Sequence, residues 1–183
     1  METLPLKHLT GFVILSNIPN NTPESRSVVV IIQHNENKGT MGLCINQPLN
    51  LKLNDFDENL WGNFDNIPVF RGGPVNPKQI ILSAMEWDAQ HQQLKWHLGL
   101  NQQQTSQLIC HQPNAHFKAY SGYLGWAPGQ LAEEIQKGLW LPVPMPSKRI
   151  FRIPNRMLWD TLMLQYYPSQ ITVKGFPNNP SFN

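Results

Sequence analysis

The stretch that decides the fold is FKAYSGYLGWAPGQLAEEIQKGLW, residues 117–140. Its first eight residues alternate between two faces that both carry apolar or aromatic side chains, which predicts a buried strand. Gly122 allows a backbone conformation or a close approach that a side chain would block. Pro128 suits the first turn of a helix, and Gly138 suits a left-handed cap at the end of that helix. The segment is therefore predicted to form a strand, a glycine turn and a helix.

Two upstream segments accompany this stretch: SVVVIIQHNENKGTMGLCINQPL at residues 27–49 and VFRGGPV at residues 69–75. Together with GYLGWAPGQLAEEIQKGLW they resemble the YqgE/AlgH family of bacterial proteins. Order and spacing agree from about residue 9 to residue 167. The chain departs from the family pattern at Glu24 and Ser25, where an aromatic residue is usual, and at Thr40, where alanine is usual.

The resemblance implies an α+β fold with a mixed, bent β-sheet that closes partly into a barrel and helices packed outside. Family members are largely uncharacterised, and one is named as a regulator of alginate production. The resemblance implies no catalytic residues. Strands joined by hairpins, with helices mainly later in the chain, also favour α+β. We expect one domain over residues 1–167 and a loosely held C-terminal tail over residues 168–183.

Residues 28–32 are all β-branched, which predicts a strand buried on both faces. It forms a hairpin with a return strand at residues 41–46. Further strands are predicted at residues 11–16, 68–71, 79–84 and 94–98, with a polar connector at residues 86–93. Helices are predicted at residues 51–63 and 102–110, and after Asn155 as N-cap. The last helix has the apolar spacing of an amphipathic helix: Leu158, Trp159, Leu162, Met163 and Tyr166.

Two side chains are predicted to be buried. Trp140 follows the helix of the opening stretch and should fill the core between that helix and the sheet. Cys44 lies in an apolar run and behaves as a small hydrophobe. The second cysteine, Cys110, forms no CxxC pair with it, so a secreted disulfide scaffold is not indicated.

The net charge of +2 is too small to argue for a polyanionic partner. A basic cluster of Lys148, Arg149, Arg152 and Arg156 fits a solvated surface, so we expect no specific nucleic-acid partner. The longest apolar run is far shorter than the ~20 residues of a membrane helix, and no signal pattern is visible. These features predict a cytoplasmic protein that does not bind membranes.

No set of residues completes a catalytic or metal site. His34 and Glu36 form an H-x-E, but the P-C-x-x-C of zinc deaminases is absent, and we predict that His34 closes its strand by hydrogen bonding. Cys110, His111 and His116 lack an evident fourth ligand. The glycines match neither the Walker pattern nor the dinucleotide fingerprint. We therefore predict no catalytic residues, no metal and no cofactor.

One ligand site is predicted, from Arg71, Gly72 and Gly73 together with Gly125, Trp126 and Gln130. The free N–H groups at the start of a helix favour an anion, and Arg71 would supply a fixed charge beside a closely approaching backbone. The alternative is that the glycines serve tight packing and that Arg71 bonds to backbone carbonyls.

Two functions follow from these patterns. The first is a non-enzymatic regulatory or protein-interaction protein with an unidentified protein partner. The alternative is a small-molecule or phosphate-binding protein, enzymes included, with its site near Arg71 and the turn at residues 125–130. A flat apolar patch would favour the first function and a surface cleft the second. The oligomeric state stays open.

Overall fold

The computed structural model describes residues 9–19, 22–56, 64, 66–91, 93–144, 150 and 152–173. Nine strands form one sheet: β1 (Val13–Ser16), β2 (Val28–Asn35), β3 (Gly39–Cys44), β4 (Pro48–Lys52), β5 (Pro68–Arg71), β6 (Val75–Asp88), β7 (Gln93–Leu98), β8 (His116–Trp126) and β9 (Trp140–Val143). The α-helices within these ranges are α1 (Gln102–His111), α2 (Gln130–Gln136), α3 (Asn155–Tyr166) and α4 (Pro168–Val173).

The sheet is mixed, and β8 is its hub. The main path runs β4-β5-β8-β3-β2-β1-β9, and β6 pairs with both β8 and β7. The β5–β8 pair is parallel, whereas β6 and β3 are antiparallel to β8. The predicted α+β class is therefore confirmed, and the opening stretch does form a strand, a glycine turn and a helix.

The sheet does not close into a barrel, so that part of the prediction is wrong. Closure requires every strand to have a neighbour on both sides. Over the described ranges β4, β7 and β9 each pair with a single strand, which leaves three sheet edges. The sheet branches at β8 instead: its first half lies between β5 and β6, and its last residues pair with β3.

The predicted burial of β2 on both faces is confirmed. Val28 and Val30 belong to a buried cluster that includes Leu158 of α3. Val29, which points to the opposite face, belongs to a cluster that includes Leu131 of α2. The two helices therefore cover opposite faces of the same part of the sheet. A third cluster lies between α1 and the part of the sheet formed by β5, β6 and β8.

The predicted polar connector at residues 86–93 is wrong, because β6 continues to Asp88 and β7 begins at Gln93. The Asp88 carboxylate stabilises the turn between these two strands. It accepts hydrogen bonds from the backbone N–H of Gln90 at 3.0 Å and of His91 at 3.1 Å, and it lies 2.9 Å from Lys95 Nζ. Cross-strand charge pairs thus let polar residues continue a two-stranded extension of the sheet.

The predicted helix at residues 51–63 is wrong where the structure describes it. Leu51 and Lys52 end strand β4, and Leu53–Asp55 forms a single 3₁₀ turn. Leu53, the first residue of this turn, is fully buried. Its position is therefore set by burial and not by the apolar stripe of a helix. Residues 57–63 lie outside the described ranges.

The proposed division into a domain over residues 1–167 and a tail over residues 168–183 stays a prediction. The first six residues of that tail form the short helix α4. Residues 174–183 lie outside the described ranges.

Candidate functional site

Two adjoining clefts lie where the start of α3 crosses β6 and β8. The first has a volume of about 310 Å³ and contains Lys118. The second has a volume of about 530 Å³ and contains Glu86. His116 and Arg152 line both clefts and mark the junction between them. We call the first the Lys118 cleft, lined by Ile45, Met85, His116, Lys118, Arg152 and Asn155 among others.

Strand periodicity places the basic side chains of β8 on one face. His116 and Lys118 are two residues apart, so both point to the face of the sheet that α3 covers. Asn155 comes from the first turn of α3. We predicted that Asn155 would be the N-cap of this helix, and the structure corrects this by one residue. Pro154 holds the N-cap position, and the Asn155 side chain accepts a hydrogen bond from Lys118 instead.

Lys118 is the most unusual charge in the described part of the chain. Its Nζ donates to the backbone O of Ile45 and to Oδ1 of Asn155, each at 3.3 Å, and lies 4.2 Å from the centre of the Phe70 ring. These partners are neutral, and within the described residues Lys118 makes no salt bridge. Burial lowers the pKa of Lys118 to about 8, because a charged amine is costly to remove from water.

The surroundings of Lys118 are also basic. Burial, and then the charge of Lys118, lower the pKa of His116 below its ordinary value. Arg152 adds a permanent positive charge at the junction of the two clefts. Among the described lining residues of the two clefts, Glu86 supplies a carboxylate, and this already lies 3.3 Å from Nε2 of His97. The Lys118 cleft is therefore a cationic cavity.

Sequence reasoning did not select Lys118, although one signal was present. The strand at residues 117–124 was predicted to be buried on both faces. A lysine within such a strand is unusual, because lysine is almost never fully buried without a partner. The cleft itself depends on Ile150 and residues 152–158 lying against β8, a contact that local patterns do not show.

Two glycines of the predicted site near Arg71, Gly72 and Gly73, lie in tight backbone packing. A Cβ on Gly72 would lie 2.1 Å from the backbone O of Gly122, and one on Gly73 would lie 2.1 Å from the backbone C of Tyr123. Both glycines thus let the segment between β5 and β6 pass closely beside β8. The guanidinium of Arg71 lies 3.8 Å from a carboxylate oxygen of Glu24. The crevice beside it has a volume of only about 10 Å³, enough for about one water.

The glycine turn is closed by its own side chains. The Gln130 side chain accepts a hydrogen bond from the backbone N–H of Ala127 at 2.9 Å and donates to Glu134 at 2.8 Å. The other oxygen of Glu134 accepts from the indole N–H groups of Trp126 at 2.8 Å and Trp140 at 2.9 Å. An anion at this turn would therefore meet the negative charge of Glu134.

The structure separates the two halves of the predicted site. Arg71 pairs in register with Ser121 of β8, which lies four residues before Gly125. At about 3.3 Å per residue this places Arg71 roughly 13 Å along the strand from the start of the turn. The first half of the predicted site therefore stays together and consists of Arg71, Gly72 and Gly73. The second half lies at the far end of β8 and consists of Gly125, Trp126 and Gln130.

Several smaller predictions are confirmed. His34 does close its strand, with Nδ1 2.7 Å from Oγ1 of Thr40. Cys44 is buried, and burial raises the pKa of its thiol. Trp140 is 2% exposed and packs edge-on against Trp126.

The sequence predicted no metal site and a solvated basic cluster. Among the residues with described positions, no three His, Cys, Asp or Glu side chains come close enough to hold a metal ion. Of the basic cluster, Arg152 and Arg156 are exposed, and Lys148 and Arg149 fall outside the described ranges. None of the helices in these ranges has the length and apolar character needed to cross a membrane.

Comparison with known proteins gives consistent results. A UPF0301 protein from Thermobifida fusca is 27% identical to this chain over 96% of both chains. A UPF0301 protein from Thioalkalivibrio sulfidiphilus is 34% identical over 73% of this chain and 76% of the relative. The AlgH protein from Pseudomonas aeruginosa has a solution structure that superposes with a TM-score of 0.62 at 22% identity. It covers 97% of this chain and 100% of that chain. Protein DIP2367 from Corynebacterium diphtheriae superposes with a TM-score of 0.63 at 18% identity, over 92% and 93% of the two chains.

These structural likenesses establish the fold. The family follows from the sequence, because the profile of the AlgH-like family matches residues 18–168. This confirms the resemblance seen in the sequence segments, and the chain therefore belongs to the AlgH-like family.

Proposed function

We propose that this protein is a non-enzymatic binding protein that holds a small anionic molecule in the Lys118 cleft. One observation carries the proposal: a largely buried ammonium group faces a cavity, and its partners among the described residues are neutral. A charge removed from water without a counterion costs stability. An anion bound in the cleft would offset that cost, and Lys118 would hold it as a point charge.

The walls of the cleft indicate the shape of the ligand. Ile45, Met85 and Leu158 give one apolar side, whereas Arg152 and His116 stand at the junction with the second cleft. Arginine recognises carboxylate and phosphate groups through paired hydrogen bonds. A volume of about 310 Å³ lies within the range of small-molecule sites, about 300–1,000 Å³. The favoured ligand is thus a small amphipathic anion with an apolar body.

A regulatory role fits this site if the liganded state is recognised by a protein partner. Helix α3 contributes Asn155 and Leu158 to the cleft, and the same helix exposes Met157 to 50% and Leu164 to 59%. Exposed apolar side chains on the helix that contacts the ligand are suitable for a partner surface. The free thiols of Cys44 and Cys110 support a reducing compartment, so we propose that the protein acts in the cytoplasm.

The proposal predicts that phenyl phosphate stabilises the protein and that phenol, its uncharged counterpart, does not. A ligand at a hundredfold excess over its dissociation constant stabilises the folded state by about 2.7 kcal/mol. For a chain of this size, each kcal/mol shifts the melting temperature by roughly 2–4 °C. We therefore expect phenyl phosphate to raise the melting temperature by about 5–10 °C. Thermal unfolding monitored by fluorescence measures the shift.

Two variants locate the site of that response. Lys118→Met keeps the length of the side chain and removes its charge, and it should abolish the shift. Arg71→Met should leave the shift unchanged, because the crevice beside Arg71 is too small for the probe. A shift that is lost in Arg71→Met and kept in Lys118→Met would place the ligand beside Arg71, in the first half of the site predicted from the sequence. A wild-type protein that does not respond to phenyl phosphate would contradict the proposal.

A further inference from the structure

The side chain of Lys118 combines features that rarely occur together in a structural lysine. It lines a cavity large enough for a small molecule, and its amine is held by two hydrogen bonds of 3.3 Å. Bonds of this length lie just beyond the usual 2.7–3.2 Å range for N–H···O contacts and are therefore weak. No carboxylate among the described residues forms a salt bridge with this amine. The amine is thus positioned by neutral groups that an incoming molecule can displace.

We propose that Lys118 forms a reversible imine with a small anionic aldehyde or ketone in the cleft. This inference rests on the proposed function and specifies the ligand class of the same site. The anionic group of the ligand would be held by Arg152 and His116 at the junction of the clefts, and the carbonyl carbon would lie against Nζ of Lys118. Lysines desolvated in apolar pockets are the ones that act as amine nucleophiles toward carbonyl compounds.

The step is balanced without a further reactant. The lone pair of Nζ attacks the carbonyl carbon, the carbon–oxygen π bond opens, and a carbinolamine results. Both amine protons then leave with the former carbonyl oxygen as water, and a carbon–nitrogen double bond forms. Nothing is oxidised or reduced, and water reverses the step. Addition of one carbonyl compound therefore yields one imine and one water.

The reaction needs an amine without its proton, and the cleft supplies it. Burial lowers the pKa of Lys118 to about 8. At pH 7.5 this leaves roughly a quarter of the amine neutral, against roughly 0.1% for a lysine with the ordinary pKa. The titratable or charged groups around it are His116 on β8, Arg152 before α3, Cys44 on β3 and Glu86 on β6. The first two are basic, and burial raises the pKa of the Cys44 thiol so that it is neutral at this pH.

Pyridoxal 5′-phosphate, an aldehyde with an anionic group, is the probe. It is mixed with the full-length protein at pH 7.5 and the imine is fixed with borohydride, after which peptide mass mapping gives the labelled fraction of each lysine. We expect Lys118 to be labelled at least about tenfold faster than Lys137, which is exposed on the surface next to α2. Labelling of Lys118 no faster than of Lys137 would overturn the inference.

Three comparisons separate this inference from the proposed function. Lys118→Arg has no primary amine at this position, so the borohydride-fixed label should be lost here and stay unchanged at Lys137. Wild-type protein that responds to phenyl phosphate and shows no selective label would overturn the imine alone. Pyridoxal without its phosphate should label Lys118 more slowly than pyridoxal 5′-phosphate. Equal rates would overturn the anionic ligand class, and failure of both assays would overturn both proposals.

Discussion

Gly73→Ala is expected to destabilise the protein severely. The added methyl carbon would lie 2.1 Å and 2.3 Å from the backbone C and O of Tyr123 and 2.4 Å from the backbone N of Leu124. Backbone atoms of a central strand cannot rotate away as a flexible side chain can. Overpacking of a core costs about 1–3 kcal/mol and occasionally more, and we expect this substitution to reach or exceed the upper value. The melting temperature should fall by about 6–12 °C or more.

Gly125→Ala provides the matched control on the same strand system. A Cβ at Gly125 would have its nearest contact at 3.6 Å, in ordinary van der Waals range. This substitution should therefore shift the melting temperature by only a few degrees, about 1 kcal/mol or less. If Gly73→Ala melts as late as Gly125→Ala, the close passage of the β5–β6 connection beside β8 is not as the structure describes it.

Trp140→Ala is expected to have the second large effect. Trp140 is 2% exposed, packs edge-on against Trp126 with ring centres 5.6 Å apart, and donates its indole N–H to Glu134. Truncation of a buried tryptophan typically costs about 3–5 kcal/mol, a large part of the 5–15 kcal/mol total stability of a typical domain. We expect the melting temperature to fall by about 6–20 °C, measured by circular dichroism.

Trp140→Phe separates packing from hydrogen bonding at the same position. It keeps one aromatic ring in the core but removes the five-membered ring of the indole with the N–H donated to Glu134, which retains its bonds from Trp126 and Gln130. The loss of one hydrogen bond to a charged group is worth about 1.5–3 kcal/mol, so this variant should melt between wild type and Trp140→Ala. A Trp140→Ala protein that melts within about a degree of wild type would mean that Trp140 is exposed and available to a partner.

Local patterns were sufficient for much of the fold. The β-branched run at residues 28–32 indicated burial on two faces, and Gly138 indicated the helix end, where its φ of +69° is indeed left-handed. The prediction of a partly closed barrel failed because closure depends on which distant strands pair, and the alternation of side chains along one strand does not encode this. The prediction of a polar connector at residues 86–93 failed for a similar reason. Its polar residues form cross-strand pairs, such as Glu86 opposite Lys95, that become visible only once the register is known.

The candidate site was harder to predict than the fold. Sequence reasoning selected Arg71 and the glycine turn because glycines and a helix start resemble an anion site. In the structure a side-chain oxygen of Gln130 already accepts from the N–H of Ala127, and Glu134 supplies negative charge nearby. Part of the lining of the cleft around Lys118 comes from Ile150 and from residues 152–158, more than 30 positions later in the chain. A lysine in a strand predicted to be buried on both faces was the one local signal of its presence.

The central claim is that Lys118 is a partly buried cation whose cleft binds an anion, and the titration of Lys118 tests this most directly. The chemical shift of the Lys118 ε-carbon, followed by NMR against pH, gives the pKa of this amine without and with phenyl phosphate. We predict a pKa of about 8 in the free protein, because burial disfavours the charged form. We predict a higher pKa with the probe bound, because a neighbouring negative charge favours the charged form. An ordinary lysine pKa in the free protein, or a pKa that phenyl phosphate does not change, would contradict the account.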